Sequence, residues 1–422
     1  MLPVEKNQLL CSVTPGTRGG ELFRAMWLPA LLSSQLPQPG CSPVRVKLLG
    51  EELLAIRVAG GKVGIIQSRC AHRGAPLFFG KMEDTGIRCA YHGWLYDETG
   101  KCTEMLNEPN KNLCRNVRMR SYQTVEKAGI VWVYMGTGEP PALPQFPWLD
   151  LPEENLCASV WLQETNWFQG AEGEIDSSHV SVLHRSNTTA TTSRVHRHWT
   201  SLDPSPKFFL RDTTAGFMSI ARRNADKEFY WRITQWMAPM YSLIPSAAWP
   251  IGGRAWVPID DENTYCWDFN YSVDGPLPEA FHSFKSKGLS FPPEYGYQAF
   301  QLNTGSMIDT YVPRRRMNND YLIDRHLQQT FSTTGIHGVN DQDRAMQEGM
   351  GRVADRSKEM LVSSDIAIVT ARRRVLDILA DESSIVKFRD KIADGRAFNV
   401  NPVDVVLPID SVDEFLAYQG LA

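Results

Sequence analysis

The stretch Cys70–Trp94, CAHRGAPLFFGKMEDTGIRCAYHGW, decides how the first third of this chain is read. It places Cys70-x-His72 and, after sixteen intervening residues, Cys89-x-x-His92. Each half brings one thiol and one imidazole, with Gly74, Gly93 and Trp94 close by. Two such loops can clasp one metal centre between them. A structural zinc site accepts two cysteines and two histidines, but it ordinarily takes a cysteine pair and then a histidine pair. Mixed pairs suit a two-iron cluster: both thiolates hold one iron, both imidazoles the other, and each loop gives one ligand to each iron. Neutral imidazoles in place of two thiolates make such a cluster less negative and raise its reduction potential.

Around this stretch the sequence reads as strands. Residues 45–68 form short β-like runs broken at the turn pair Gly60-Gly61. The segment GIRCAYHGWLYDETGKC predicts a hairpin turning at Asp97–Gly100, and AGIVWVYMG (128–136) predicts one more strand. GEPPALPQFPW (138–148) then carries four prolines and reads as a linker. Beyond it, residues 160–187 look helical. EFYWRITQWMAPMYSLIPSAAW and ENTYCWDFNYSV read as strands, and residues 356–381 as a helix with Ser363 or Ser364 as a possible cap. The expectation is an α+β chain. An all-β unit with an N-terminal extension spans 1–147, and a unit with an antiparallel sheet and helices spans 148–422.

Composition narrows the function classes. Forty-four basic residues against 48 acidic give a net charge of −4, which offers no reason to expect nucleic acid or an anionic membrane as partner. No run approaches the ~18 apolar residues of a membrane span. The N-terminus lacks a signal-peptide pattern, so the cytoplasm is the expected location. The eight cysteines show no paired spacing, and only Cys70 and Cys89 have histidine neighbours.

A second dense stretch, NWFQGAEGEIDSSHVSVLHR (166–185), holds Asp176, His179 and His184. Asp176 and His179 share a helix face. His179 and His184 differ by about 140° on a regular helix, so they meet on one ion only if the helix ends or distorts between them. Alone, two such histidines are equally well read as solvated. With a carboxylate they complete the 2-His-1-carboxylate triad that leaves open positions on iron(II). Asp365, in the apolar run 361–369, is the candidate. It is read equally well as the ion-pair partner of Arg372, Arg373 or Arg374. His196 and His198 are weaker candidates for the same site.

Both constellations, in this order, resemble the Rieske non-haem iron aromatic-ring oxygenases. GELFRAMWLPALL, NDQDRAMQEGMGRVADRS (340–357) and SSDIAIVTARRRVL look like the phthalate-dioxygenase-like branch, to which O-demethylases are related. The resemblance implies that Cys70, His72, Cys89 and His92 hold a Rieske [2Fe–2S] cluster. It implies that His179, His184 and Asp365 hold mononuclear Fe(II). Asp176 would bridge to the cluster of a neighbouring subunit, and Asn166 would be a polar residue near the iron. It further implies a homotrimer or stacked hexamer. A separate reductase, with or without a ferredoxin, would draw on NADH or NADPH. O₂ would be co-substrate, and an aromatic acid would be hydroxylated or O-demethylated. Arg194 and Arg197 are candidates to hold the acid, and are read equally well as surface arginines. The competing functions are a Rieske-type electron carrier without oxygenase activity and a zinc-stabilised binding protein.

Overall fold

The computed structural model describes residues 1–185, 198–245, 250–289 and 292–421. Two helices, Val4–Cys11 and Arg18–Arg24, precede a six-stranded sheet. Its strands lie in the spatial order Trp27–Leu32, Ile130–Tyr134, Ser121–Lys127, Val63–Gln67, Glu51–Arg57 and Val44–Leu48, all antiparallel. The strand IVWVY at 130–134 is buried throughout, as an all-apolar run in a covered sheet must be. Gly60 and Gly61 turn the chain at positive φ, as their pairing predicts.

The loops that carry the cysteines and histidines are mounted on a second, four-stranded sheet: Lys81–Glu83, Gly86–Arg88, Trp94–Tyr96 and Cys102–Met105. The predicted hairpin turn is present, with Asp97 Oδ1 accepting the Thr99 N–H at 2.9 Å.

The proline-rich segment is not a free tether. Ala142 and Gln145 donate backbone hydrogen bonds to Ala393 and Gly395. Phe146 and Trp148 stack 5.1 Å apart, and Trp148 lies against Phe269 at 4.4 Å. One apolar cluster runs from Leu10 and Trp132 through Trp148 to Trp267 and Phe398, so Phe146 and Trp148 anchor the segment in a core the two sheets share.

The remainder is built on an eight-stranded antiparallel sheet. Seven strands follow the order Leu156–Gln163, Thr264–Tyr271, Ile251–Pro258, Tyr241–Ile244, Glu228–Met237, Gly216–Ala225 and Lys207–Asp212. Val403–Leu407 adds to Glu228–Met237. The predicted helical stretch 160–187 is therefore only partly helical. Its start completes a strand, and the helix is Trp167–Ile175. That helix lies close on the sheet because residue 170 is glycine: a Cβ there would sit 2.1 Å from the Trp256 ring. The expected helix 356–381 begins only at Ile366 and runs to Ile378. A further helix, Val339–Gly349, and Ile366–Ile378 pack against Trp167–Ile175. Buried Glu172 fastens them, meeting Arg356 Nη2 and Arg372 Nε at 2.6 Å each. No helix of the described residues is long and apolar enough to cross a membrane.

Candidate metal centres

The two loops of the first centre repeat one backbone pattern. Gly74 N–H donates to the Cys70 carbonyl at 2.9 Å, and Gly93 N–H donates to the Cys89 carbonyl at 3.0 Å. Both glycines have positive φ, 70° and 72°, which lets each loop turn back after its histidine. A Cβ on Gly93 would also strike Leu106 at 2.6 Å. The imidazoles of His72 and His92 face each other with centroids 4.5 Å apart, and His72 stacks on Trp94 at 4.6 Å.

Cys70 and Cys89 are buried and free, and Cys70 Sγ lies 3.1 Å from Tyr96 Oη. Burial raises the Cys70 thiol pKa, so a metal ion must displace that proton. Nδ1 of His72 and Nδ1 of His92 are both buried without a hydrogen-bond partner. Buried polar atoms ordinarily have one. Two orphaned imidazole nitrogens beside two free thiols are the donor set a Rieske centre needs, and the residues fit that group.

The second centre forms where the helix Trp167–Ile175 ends. Asp176 takes extended backbone angles, and its Oδ1 accepts the Ser178 N–H at 2.7 Å, which turns the chain. A single 3₁₀ turn, His179–Ser181, follows. This break brings the rings of His179 and His184 within 5.2 Å of each other. Buried Arg223 braces the turn, its Nη2 donating to the Ser177 carbonyl at 2.6 Å.

The carboxylate that joins the histidines is Asp343, not Asp365. Asp343 Oδ1 lies 3.0 Å from His184 Nε2 and 3.6 Å from His179 Nε2. One donor atom from each of the three residues falls within 4.8 Å of the others, a spacing that fits a single ion. Asp343 sits on Val339–Gly349, on one face with Met346, Gln347 and Met350, and all four line the same cavity. That recurrence at i, i+3, i+4 and i+7 was the available sequence signal. Asp365 precedes the first turn of Ile366–Ile378, where its Oδ2 accepts the Val362 N–H at 2.7 Å. Its apolar neighbours Val362, Ile366 and Val369 face solvent. The alternative ion pair is absent too: Arg372 pairs with Glu172 and Glu359, and Arg374 with Asp212.

Each histidine has a partner for its other nitrogen. His179 Nδ1 stands 3.3 Å from Asp176 Oδ2, and His184 Nδ1 stands 2.7 Å from Gln342 Oε1. Gln342 is itself oriented, donating from Nε2 to the Ile336 carbonyl at 2.9 Å. Both rings thus present Nε2 inward, the arrangement that partners behind metal-binding histidines impose. Burial alone would raise the Asp176 pKa, but the His179 and Ser178 hydrogen bonds hold it down at about 2.

Asn166 is not part of this centre. Its Nδ2 donates to the carbonyls of Cys11 and Asp261, and its Oδ1 caps the opposite end of the helix from Asp176. Ten residues at 1.5 Å each separate those ends by about 15 Å. His198 is exposed against Trp199. Arg194, His196 and Arg197 lie outside the described residues.

Two cavities meet at the triad. One, of about 680 Å³, is lined by Asp176, His179, Asp343, Met346, Met350 and Leu361 among others. The other, of about 50 Å³, lies between the triad and the sheet and reaches Glu174, Arg232 and Thr234.

Residues 26–123 match the model of the Rieske [2Fe-2S] domain, and residues 133–391 match that of the LigXa C-terminal domain like family. The chain belongs to the Rieske non-haem iron oxygenases. This oxygenase is 37% identical over 395 residues to the 3-chlorobenzoate-3,4-dioxygenase oxygenase subunit of Comamonas testosteroni, covering 90% of this chain and 89% of the other. It is 35% identical over 396 residues to the phthalate 4,5-dioxygenase oxygenase subunit of Pseudomonas putida, covering 90% and 87%. The fold matches that of dicamba monooxygenase bound to dicamba, with a TM-score of 0.60 at 16% identity over 86% of this chain and 98% of that one. It is thus the oxygenase component of a Rieske system, with a [2Fe–2S] cluster, mononuclear iron and O₂ as its cofactors and co-substrate. The electron-carrier and zinc-protein readings fall.

Proposed function

We propose that this oxygenase hydroxylates an aromatic carboxylic acid, with Cys70, His72, Cys89 and His92 holding the cluster and His179, His184 and Asp343 holding the iron. The observation that carries the reading is the convergence of these three side chains, each histidine fixed from behind, in a chain that also bears the cysteine–histidine loops. Iron held there would supply O₂ activation, and the cluster one-electron reduction. The acid substrate is supported by the two full-length relatives, which are named for 3-chlorobenzoate and phthalate.

The chain's residues set the order of events. Asp176 lines the larger cavity beside His179 and keeps 17% of its side chain accessible, so it can link His179 to a group docked from outside. Apolar side chains stand exposed beside that cavity, at Val182, Met346 and Met350. Others stand exposed on the cluster loops, at Phe79, Tyr91 and Leu106. Such surfaces are what a partner covers. In this reading the cluster loops of one copy dock at Asp176 of the next, in a trimer or stacked hexamer. A reductase, with or without a ferredoxin, delivers the electrons.

The test is a substrate screen. The iron-loaded protein, a compatible reductase and NADH are offered phthalates, halobenzoates and methoxylated aromatic acids, with O₂ uptake followed. A dihydrodiol product without formaldehyde is expected. Stoichiometric formaldehyde would replace ring hydroxylation by O-demethylation. Uptake coupled only to uncharged arenes would sink the acid reading.

A further inference from the structure

Arg232 lies in the middle of the strand Glu228–Met237 and is 5% exposed. Its Nε and Nη1 are buried without a hydrogen-bond partner, and no carboxylate among the described residues pairs with it. A buried guanidinium in that condition is costly unless an anion reaches it.

Its surroundings show where that anion would come from. Arg232 borders the 50 Å³ space that also touches His179, His184 and Asp343. Thr234, two residues along the strand, shares its face and lines the same space. The other buried arginines here are occupied. Arg223, on the adjacent strand, donates to the carbonyls of Ser177 and Asp203. Arg254 pairs with Asp268. Glu174 is a poor counter-ion for Arg232, because burial pushes its pKa up to about 7 and its nearest cation is Arg254, at 3.7 Å. The space exceeds the ~10–15 Å³ that one water needs on the same measure. It has room for a small polar group such as a carboxylate, with the rest of the molecule on the side of His179 and Asp343.

We propose that Arg232 is the residue that selects and orients the substrate, its guanidinium pairing with the carboxylate of the organic acid. This rests on the acid reading above. Charge-assisted bonds from a buried arginine are strong, and they would fix which ring carbon faces the triad.

The test compares wild-type, R232Q and R232K proteins, all loaded with iron and cluster, by calorimetric titration with phthalate, 3-chlorobenzoate and 3-chlorobenzamide. R232Q should weaken both acids by about 10- to 150-fold, the range of a hydrogen bond to a charged group. Its affinity for the amide should change less than about threefold, with cluster absorbance and iron content unchanged. R232K should weaken the acids less, because a lysine keeps the charge but not the fork. If R232Q does not fold, R232K carries the comparison, and acid affinities equal to wild type there overturn the proposal. Acid-over-amide preference kept intact in R232Q removes Arg232 and leaves the acid reading standing. No such preference in the wild type removes both.

Discussion

Asp343 Oδ1 stands 3.0 Å from Nε2 of His184, while the adjacent Gln342 holds Nδ1 of the same ring at 2.7 Å. Two neighbouring residues of one helix thus grip both nitrogens of a histidine from a distant part of the chain. Asp343→Ala should therefore lower iron from three to two per chain and abolish product formation, leaving the cluster spectrum intact. Asp365→Ala should keep all three irons and near-normal turnover, since Asp365 only tidies a turn. Metal analysis and product assay of the pair decide, and iron loss in Asp365→Ala would reverse the assignment.

Gln342 Oε1 faces Nδ1 of His184 and is not one of the three converging donors. Gln342→Leu should weaken iron binding by about 10- to 100-fold, the usual cost of losing a partner behind a metal-binding histidine. Gln342→Glu, which keeps an acceptor, should restore most of it. Competition with a chelator of known affinity measures both. Equal iron retention in wild type and Gln342→Leu would show that the ring is held by packing alone.

The cluster loops make a sharper case. Cys70→Ser or His92→Ala should erase the visible absorption of the oxidised cluster, because each removes a direct donor. The mononuclear site, carried on other elements, should still take up one iron. A normal cluster spectrum in either variant would refute the donor set.

Why the cluster loops were legible and Asp343 was not follows from range along the chain. Cys70, His72, Cys89 and His92 sit within one short stretch, and their glycines report the turns that bring them together. The break between His179 and His184 was also legible, as a geometric necessity that the serines and Asp176 allow. The proposed third ligand, Asp343, lies on a helix with two other acids, Asp341 and Glu348, both spent on Arg344. Local sequence did not rank them. Asp365 drew notice because a carboxylate stood among apolar residues, but that run is partly solvent-exposed. Asn166 was placed near the iron by resemblance alone, and in the structure it caps the opposite end of the helix.

Away from both centres, Glu164 tests the electrostatics of the fold. It meets Arg316 Nη2 at 2.5 Å and Arg352 Nη2 at 3.0 Å. Burial alone would raise its pKa, but the two guanidiniums lower it. A carboxylate depressed on folding adds stability that is complete above its unfolded value, about 4.3. That contribution fades as pH falls through this value toward the lower folded one. Glu164→Gln should therefore lower Tm by about 2–3 °C at pH 7. The gap should narrow as the pH is taken below about 4.3. A gap independent of pH would mean that Glu164 acts through packing and not charge.

Asp176 is the residue on which coupling between the centres turns. Its Oδ2 faces His179 Nδ1, and it lines the larger cavity with 17% of its side chain accessible. A plain turn-forming role is also on view, through the Ser178 N–H and hydroxyl bonds to Oδ1. Asparagine keeps an oxygen for the turn but loses the charge, so Asp176→Asn separates the two roles. If Asp176 links the centres, the variant keeps cluster, iron and assembly. Oxidation of the pre-reduced cluster by O₂ in the presence of substrate then slows by about 10- to 100-fold. If Asp176 only shapes the turn, that rate stays at its wild-type value while Tm shifts slightly. Stopped-flow absorbance of the cluster reads the rate, and sedimentation at the same concentration reads the assembly. A wild-type protein that turns over fully as a dilute monomer would exclude any route between copies.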